Sequence, residues 1–226
     1  MTANAKSVAT GRGELARRYG LLVLGLFISA LGVAITRQAE LGVSPISSVP
    51  NVVNLKFPAV SLGTGLILWN FLLILGQILL LRRRFKPVQF LQIPVSFLFG
   101  WFTDFGVWLS GFLPAGSYPV RMALVILGTF VLAVGVSFSV VAGVVMNSGE
   151  AFVQAMSDTT GRRLGDLKIA FDVACVAIAV VLSLVFFDFT VQGTREGTVI
   201  VALTTGAFVN VILRRVRAPL EKMISA

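Results

Sequence analysis

Histidine is absent from all 226 residues, and cysteine occurs once, as Cys175. Without histidine there is no Ser-His-Asp relay, no His-ligated zinc or haem and no imidazole proton shuttle. A single thiol excludes an internal disulfide and a cysteine-cluster metal site. Charge is scarce as well: 13% of the residues are Asp, Glu, Lys or Arg, about half the share usual in a soluble domain. No P-loop of the Walker type is present, which argues against ATP-driven pumping by this chain alone. These absences leave no cofactor, no metal ligand set and no nucleophile–base pair to assign, so an enzyme is not expected.

What fills the chain instead is apolar: 56% is hydrophobic and the mean hydropathy is +0.91. A hydrocarbon core of about 30 Å needs roughly 20 apolar residues per helical span. Six windows meet that need, at 19–35, 62–81, 90–112, 120–144, 164–187 and 197–213. The first lacks a small-residue cleavage site followed by a polar mature segment, so it reads as a retained span and not as a signal peptide.

The net charge of +9 follows the spans. Lys6, Arg12, Arg17 and Arg18 lie in the N-terminal segment; Arg82, Arg83, Arg84 and Lys86 in the second connection; Arg162, Arg163 and Lys168 in the fourth; Arg214, Arg215, Arg217 and Lys222 in the C-terminal segment. Arg37, Lys56, Arg121 and Arg195 are all that the other three connections hold. This alternation predicts cytoplasmic termini in a six-span protein. The cations then face anionic lipid, and nucleic acid is not expected as a partner. The expected organisation is a cytoplasmic tail over 1–18, a three-span membrane unit over 19–112, a second over 113–213 and a cytoplasmic tail over 214–226.

An internal repeat relates the two units. Gly25, Phe27, Ala30, Gly32 and Val33 recur as Gly128, Phe130, Ala133, Gly135 and Val136, an offset of 103. The stretch from Leu62-Gly63 to Asn70 recurs from Leu164-Gly165 to Asp172, and Gly100 to Asp104 recurs as Gly206 to Asn210, at offsets of 102 and 106. Each unit has three spans, an odd number, so the two sit in the membrane with opposite orientation. Inverted repeats of this kind place solute sites between the halves; the plainer alternative is a duplication that only builds a stable bundle. The glycines seven apart are expected to permit close helix packing.

The connection after the first span of each unit is long and only half polar. In the first, Ser44-Pro45 suits a helix start: Ser caps free N–H groups and Pro fits the first turn. About ten apolar-leaning residues follow, Ser47 among them and ending at Leu55, too few to cross and suited to a re-entrant or interfacial segment. In the second, Asn147 or Ser148 caps and Glu150 falls in the first turn, where the helix dipole favours an acid. If both segments re-enter, two half-helix N-termini meet near the midplane and offer unpaired N–H groups to an anion, a carboxylate or a polar solute. The alternative is a pair of amphipathic helices on opposite membrane surfaces.

A charge at bilayer depth costs about 2.5–3.5 kcal/mol and usually faces the protein interior. Asp104 falls in the middle of the third span and Asp172 eight residues into the fifth, and their repeat counterparts are Asn210 and Asn70. The four form a candidate polar cluster along a pathway, with the two acids as proton or cation sites; interhelical hydrogen bonding is the structural alternative. Gln77 and Gln92 are expected as helix–helix contacts.

The runs LGVSPISSVP, SLGTGLILWN, RRRF and LQIPVSFLFGWFTDF, with NSG and LGDLKIAFD in the second half, resemble bacterial integral membrane proteins of the YczE/YitT-like group. The resemblance implies a protein of the bacterial inner membrane and supplies no catalytic residue and no defined substrate. The expected fold is an all-α membrane protein of six transmembrane helices in two inverted three-helix repeats, each with a re-entrant half-helix. The expected function is passage of a small polar or anionic solute, with proton coupling as a variant. A non-transporting accessory protein of a biosynthetic or export complex is the alternative. Expected partners are the lipid bilayer, a small solute, and either further copies of the chain or another membrane protein.

Overall fold

A computed structural model of the protein describes residues 12–225; Lys6, with the rest of 1–11, and Ala226 lie outside the described residues. The fold is all-α. The helices are α1 (Arg12–Gln38), α2 (Pro45–Lys56), α3 (Leu62–Leu81), α4 (Gln92–Ser110), α5 (Tyr118–Ala142), α6 (Ser148–Thr160), α7 (Leu164–Phe186) and α8 (Glu196–Ser225), with short 3-10 turns over 82–84 and 87–91. Six of them, α1, α3, α4, α5, α7 and α8, are long and apolar enough to cross a membrane. They fall on the six expected windows. α2 and α6 have 12 and 13 residues, too few to cross at 1.5 Å per residue.

Helix ends depart from the windows where the chain carries charge. α1 begins at Arg12, inside the expected tail, and α8 runs past Leu213 to Ser225. A helix needs apolar residues only at hydrocarbon depth, and beyond it side-chain pairs sustain the ladder. Arg217 Nε donates to Glu221 Oε1 one turn on, at 2.8 Å, and Ile224 joins the core cluster of Leu21, Leu22 and Leu26. The expected tail over 214–226 is therefore, in its described part, a docked helical extension.

At the centre α1 crosses α5. Gly25 faces Gly135 and Gly32 faces Gly128 across this contact: a methyl group on Gly32 would lie 2.6 Å from the Leu132 Cα and 2.7 Å from the Gly128 carbonyl oxygen. The glycines seven apart are thus packing positions, where backbone meets backbone. α4 packs on the other side of α1, and α8 on the other side of α5. α2 lies against α7 and α3, while α6 lies against α3 and α7.

The two short helices are set into the bundle. Ser47, Ser48, Val49, Pro50, Asn51, Val52 and Asn54 of α2 are all buried, and the first turns of α2 and α6 touch, with Ile46 packed on Gly149. Their caps differ from expectation. Neither Ser44 nor Asn147 makes a side-chain cap; the Ser44 hydroxyl donates instead to the Ser47 hydroxyl at 2.9 Å. At the start of α2 Pro45 has no N–H and the Ser47 N–H donates to the Ser44 carbonyl at 2.9 Å, which leaves the Ile46 N–H; the start of α6 has no proline, and its first N–H groups take no cap from Asn147.

Candidate functional site: a cavity at two helix starts

A cavity of about 650 Å³ occupies the middle of the bundle, within the size range of small-molecule sites. Its walls are mostly apolar, with Leu22, Leu26 and Val33 of α1, Leu66 of α3, Val95 and Phe99 of α4 and Leu132 and Val136 of α5. Polar groups enter at a few places. The start of α2 brings Ser44, Pro45 and Ser47; the start of α6 brings Asn147 and Glu150; Asn70, Asp172 and Asn210 come from α3, α7 and α8. α7 and α8 make no packed interface among the described residues, and the cavity lies between them.

Two candidates lie elsewhere. Asp104 is level with the first residues of α3, away from the centre of the bundle. Its Oδ1 accepts from the Gly63 N–H at 2.7 Å and its Oδ2 from the Ser61 hydroxyl at 2.6 Å. An acid placed there satisfies an orphan N–H and meets the positive end of α3, a bracing role in this conformation. Ser148 faces α3 and α4: its carbonyl accepts from Gln77 Nε2 at 3.2 Å, and its hydroxyl lies 3.4 Å from that of Ser96. Gln77 and Gln92 exchange two side-chain bonds of 3.0 Å each, both fully buried, as the helix–helix expectation for them required.

Lys168 is a cavity residue whose sequence position marks it only as a cytoplasmic cation. Its Nζ lies 2.6 Å from Asp172 Oδ1, one helical turn away. The spacing of four residues on one helix is the readable signal of that pair. A second group, with no such signal in the sequence, sits where α1 ends and α8 begins. Arg37 donates to Asn54 Oδ1 at 2.6 Å, Asn51 donates to the Gly193 carbonyl at 3.0 Å, and the Gly197 N–H donates to the Leu41 carbonyl at 2.8 Å. These contacts close the ends of α1, α2 and α8 on one another. Arg37 Nε, Asn51 Oδ1 and the hydroxyls of Thr194 and Thr198 are buried there with no partner among the described residues. One turn along each helix, Val33, Ser47 and Val201 line the cavity, so this polar seam is its floor.

Burial pushes the Glu150 carboxyl above the usual carboxylate range; Lys168 opposes the shift and Asp172 adds to it. A raised carboxyl favours the protonated form in the folded state, so its contribution to stability is present at acid pH and lost as pH rises through the raised value. Thermal unfolding in detergent should therefore show Glu150→Gln as stable as the unsubstituted protein at acid pH and more stable at neutral pH, with a flatter pH dependence. An unaltered slope would show that Glu150 is not the group responsible.

Six helices of this length and apolarity mark the chain as a polytopic membrane protein. Within that class the chain belongs to DUF6198, a family of unknown function, which it matches over residues 16–214. That range covers five of the six crossing helices in full or nearly so and the apolar part of α8. No curated protein and no solved structure matches the chain.

Proposed function

We propose that the protein moves a small solute across a membrane through the central cavity. The observation that carries this reading is the meeting of two short helix starts, those of α2 and α6, at one cavity. Helix N-termini present N–H donors and a partial positive charge, so the solute has an anionic or strongly polar head. The apolar walls suit a carbon body of modest size behind that head. Of the acids, Asp172 and Glu150 face the cavity and are the candidates for proton coupling, in place of Asp104. The reading is non-enzymatic.

Two further features support it. α2 and α6 are too short to cross and sit among the crossing helices, as re-entrant half-helices would. The packing is also exchanged by the internal repeat: Gly25 meets Gly135 while their counterparts Gly128 and Gly32 meet each other. α1 packs on α4 as α5 packs on α8, and α2 on α7 as α6 on α3. Two inverted halves joined through α1 and α5 account for this pattern. The alternation of basic residues supports cytoplasmic termini, and the YczE/YitT-like resemblance supports the bacterial inner membrane.

The test is a thermal-shift screen of the purified protein against short monocarboxylates, inorganic phosphate and neutral polyols, followed by flux into liposomes. A ligand of the native state at 100 times its Kd adds about 2.7 kcal/mol to stability. The expected result is stabilisation by at least one anionic class, reduced in Asn147→Leu, with solute-dependent flux. Absence of any shift or flux, with a stoichiometric membrane partner in the preparation, would favour the accessory role.

A further inference from the structure

The two halves share a sequence repeat but stand in different states at one place. In the first half α3 and α4 are shut against each other. A methyl group on Gly100 would lie 2.8 Å from the Gly63 carbonyl oxygen, and one on Gly63 would lie 2.6 Å from the Asp104 carboxyl carbon. Asp104 ties the two helices together by accepting from the Gly63 N–H and the Ser61 hydroxyl. In the second half the counterparts of Gly63 and Gly100 are Gly165 and Gly206. Among the described residues neither has a neighbouring atom within 4 Å of where a Cβ would stand. The start of α7 has no side-chain cap, and Asn210, the counterpart of Asp104, lines the cavity that separates α7 from α8.

A glycine in open space within a helix costs about 1 kcal/mol relative to alanine, and nothing in this conformation requires Gly165 or Gly206. We propose that α7 and α8 close on each other as α3 and α4 do here, with Gly165 packing on Gly206 and the Asn210 amide oxygen accepting from the Gly165 N–H. This closure alternates with separation of α3 from α4 and release of Asp104, so the cavity is reached from one membrane face at a time. The unlike residues set the resting state. A hydrogen bond to a carboxylate is about twice as strong as one to a neutral amide. The Asp104 tie therefore holds the α3–α4 side shut, and the weaker Asn210 tie leaves the α7–α8 side open. Asp104 and Asn210 are positioning residues in this scheme and need not touch the solute.

The inference rests on the transport reading, and one experiment separates the two. Val136 is half-buried in the cavity wall; as Val136→Cys in a Cys175→Ala background it reports access. A membrane-impermeant maleimide is applied to sealed vesicles of each orientation. Labelling is expected to be fast from the face where α7 begins and slow from the face where α3 begins. Asp104→Ala should raise the slow rate about tenfold or more, the factor for loss of a charge-assisted hydrogen bond, and Asp104→Asn, which keeps an acceptor, should raise it less. Gly206→Leu should abolish labelling from the α3 face while labelling from the α7 face persists, with an unfolding temperature that is unaltered or slightly raised. Access from both faces that ignores Asp104→Ala and Gly206→Leu would overturn the alternation and leave an open channel. Labelling from the α7 face alone in every variant, Asp104→Ala included, would overturn it too and leave a one-sided cavity. No labelling from either face would overturn the transport reading itself.

Discussion

Gly32→Leu is expected to leave no folded protein. The first atom it adds would sit 2.6 Å from the Leu132 Cα and 2.7 Å from the Gly128 carbonyl oxygen, and both belong to the α5 backbone. Overpacking that side chains can absorb costs about 1–3 kcal/mol. Backbone cannot turn aside, so α1 and α5 must separate along their whole crossing. That separation reaches Leu22, Leu26, Ala30 and Val33, which are buried in the central core with Leu132. Replacing a helical glycine gains up to about 1 kcal/mol of intrinsic propensity, which cannot offset the opening of that core. Size-exclusion chromatography of the detergent-solubilised protein should show aggregate for Gly32→Leu and a single sharp species for Gly20→Leu. Gly20 is the control because it lies on the same helix with no neighbouring atom among the described residues within 4 Å of a Cβ. A sharp, thermally stable species for Gly32→Leu would show that α1 and α5 do not cross at these glycines.

The spans are legible in the sequence because lipid imposes a rule of length and apolarity on each crossing helix separately. The glycines at the crossing are legible as a repeated spacing, although the spacing alone does not say that each faces a glycine of the other repeat. What a residue faces inside a bundle depends on the rotation of its helix, which composition does not encode. Asp104 shows this. The repeat register pairs it with Asn210, yet α4 turns Asp104 towards the start of α3 while α8 turns Asn210 into the cavity. Lys168 reads as a topology marker, and its reach along a flexible stem to Asp172 carries it into the site. Arg37 reads as part of a connection because an arginine at membrane depth is costly. The extra turn of α1 that contains it is held by Asn54 of α2, a contact between segments that no local pattern reveals.

Gln77→Leu is expected to destabilise the protein by about 2 kcal/mol, and Gln77→Leu with Gln92→Leu to destabilise it less than either change alone. Gln77 of α3 and Gln92 of α4 exchange two bonds of 3.0 Å, and the same Gln77 amide donates to the Ser148 carbonyl at 3.2 Å. The trio thus pins the first residue of α6 against the α3–α4 pair. Interhelical hydrogen bonds in membranes average about 0.6 kcal/mol and reach about 1.7 kcal/mol. The upper end applies here because both amides are fully buried and bonded in both directions. Truncating one partner strands the other, and a buried unsatisfied donor or acceptor costs about 1–3 kcal/mol. Removing both leaves two apolar side chains of similar volume against each other, with only the Ser148 carbonyl losing a donor, and that carbonyl already opens the α6 ladder. Unfolding by mixed-micelle denaturation of the two single variants and the double variant measures the coupling directly. Additive losses would show that the amides do not bond each other. Coupling of the expected sign that is also seen as lower Val136→Cys labelling in Gln77→Leu would show that this amide pair holds the start of α6 open at the cavity.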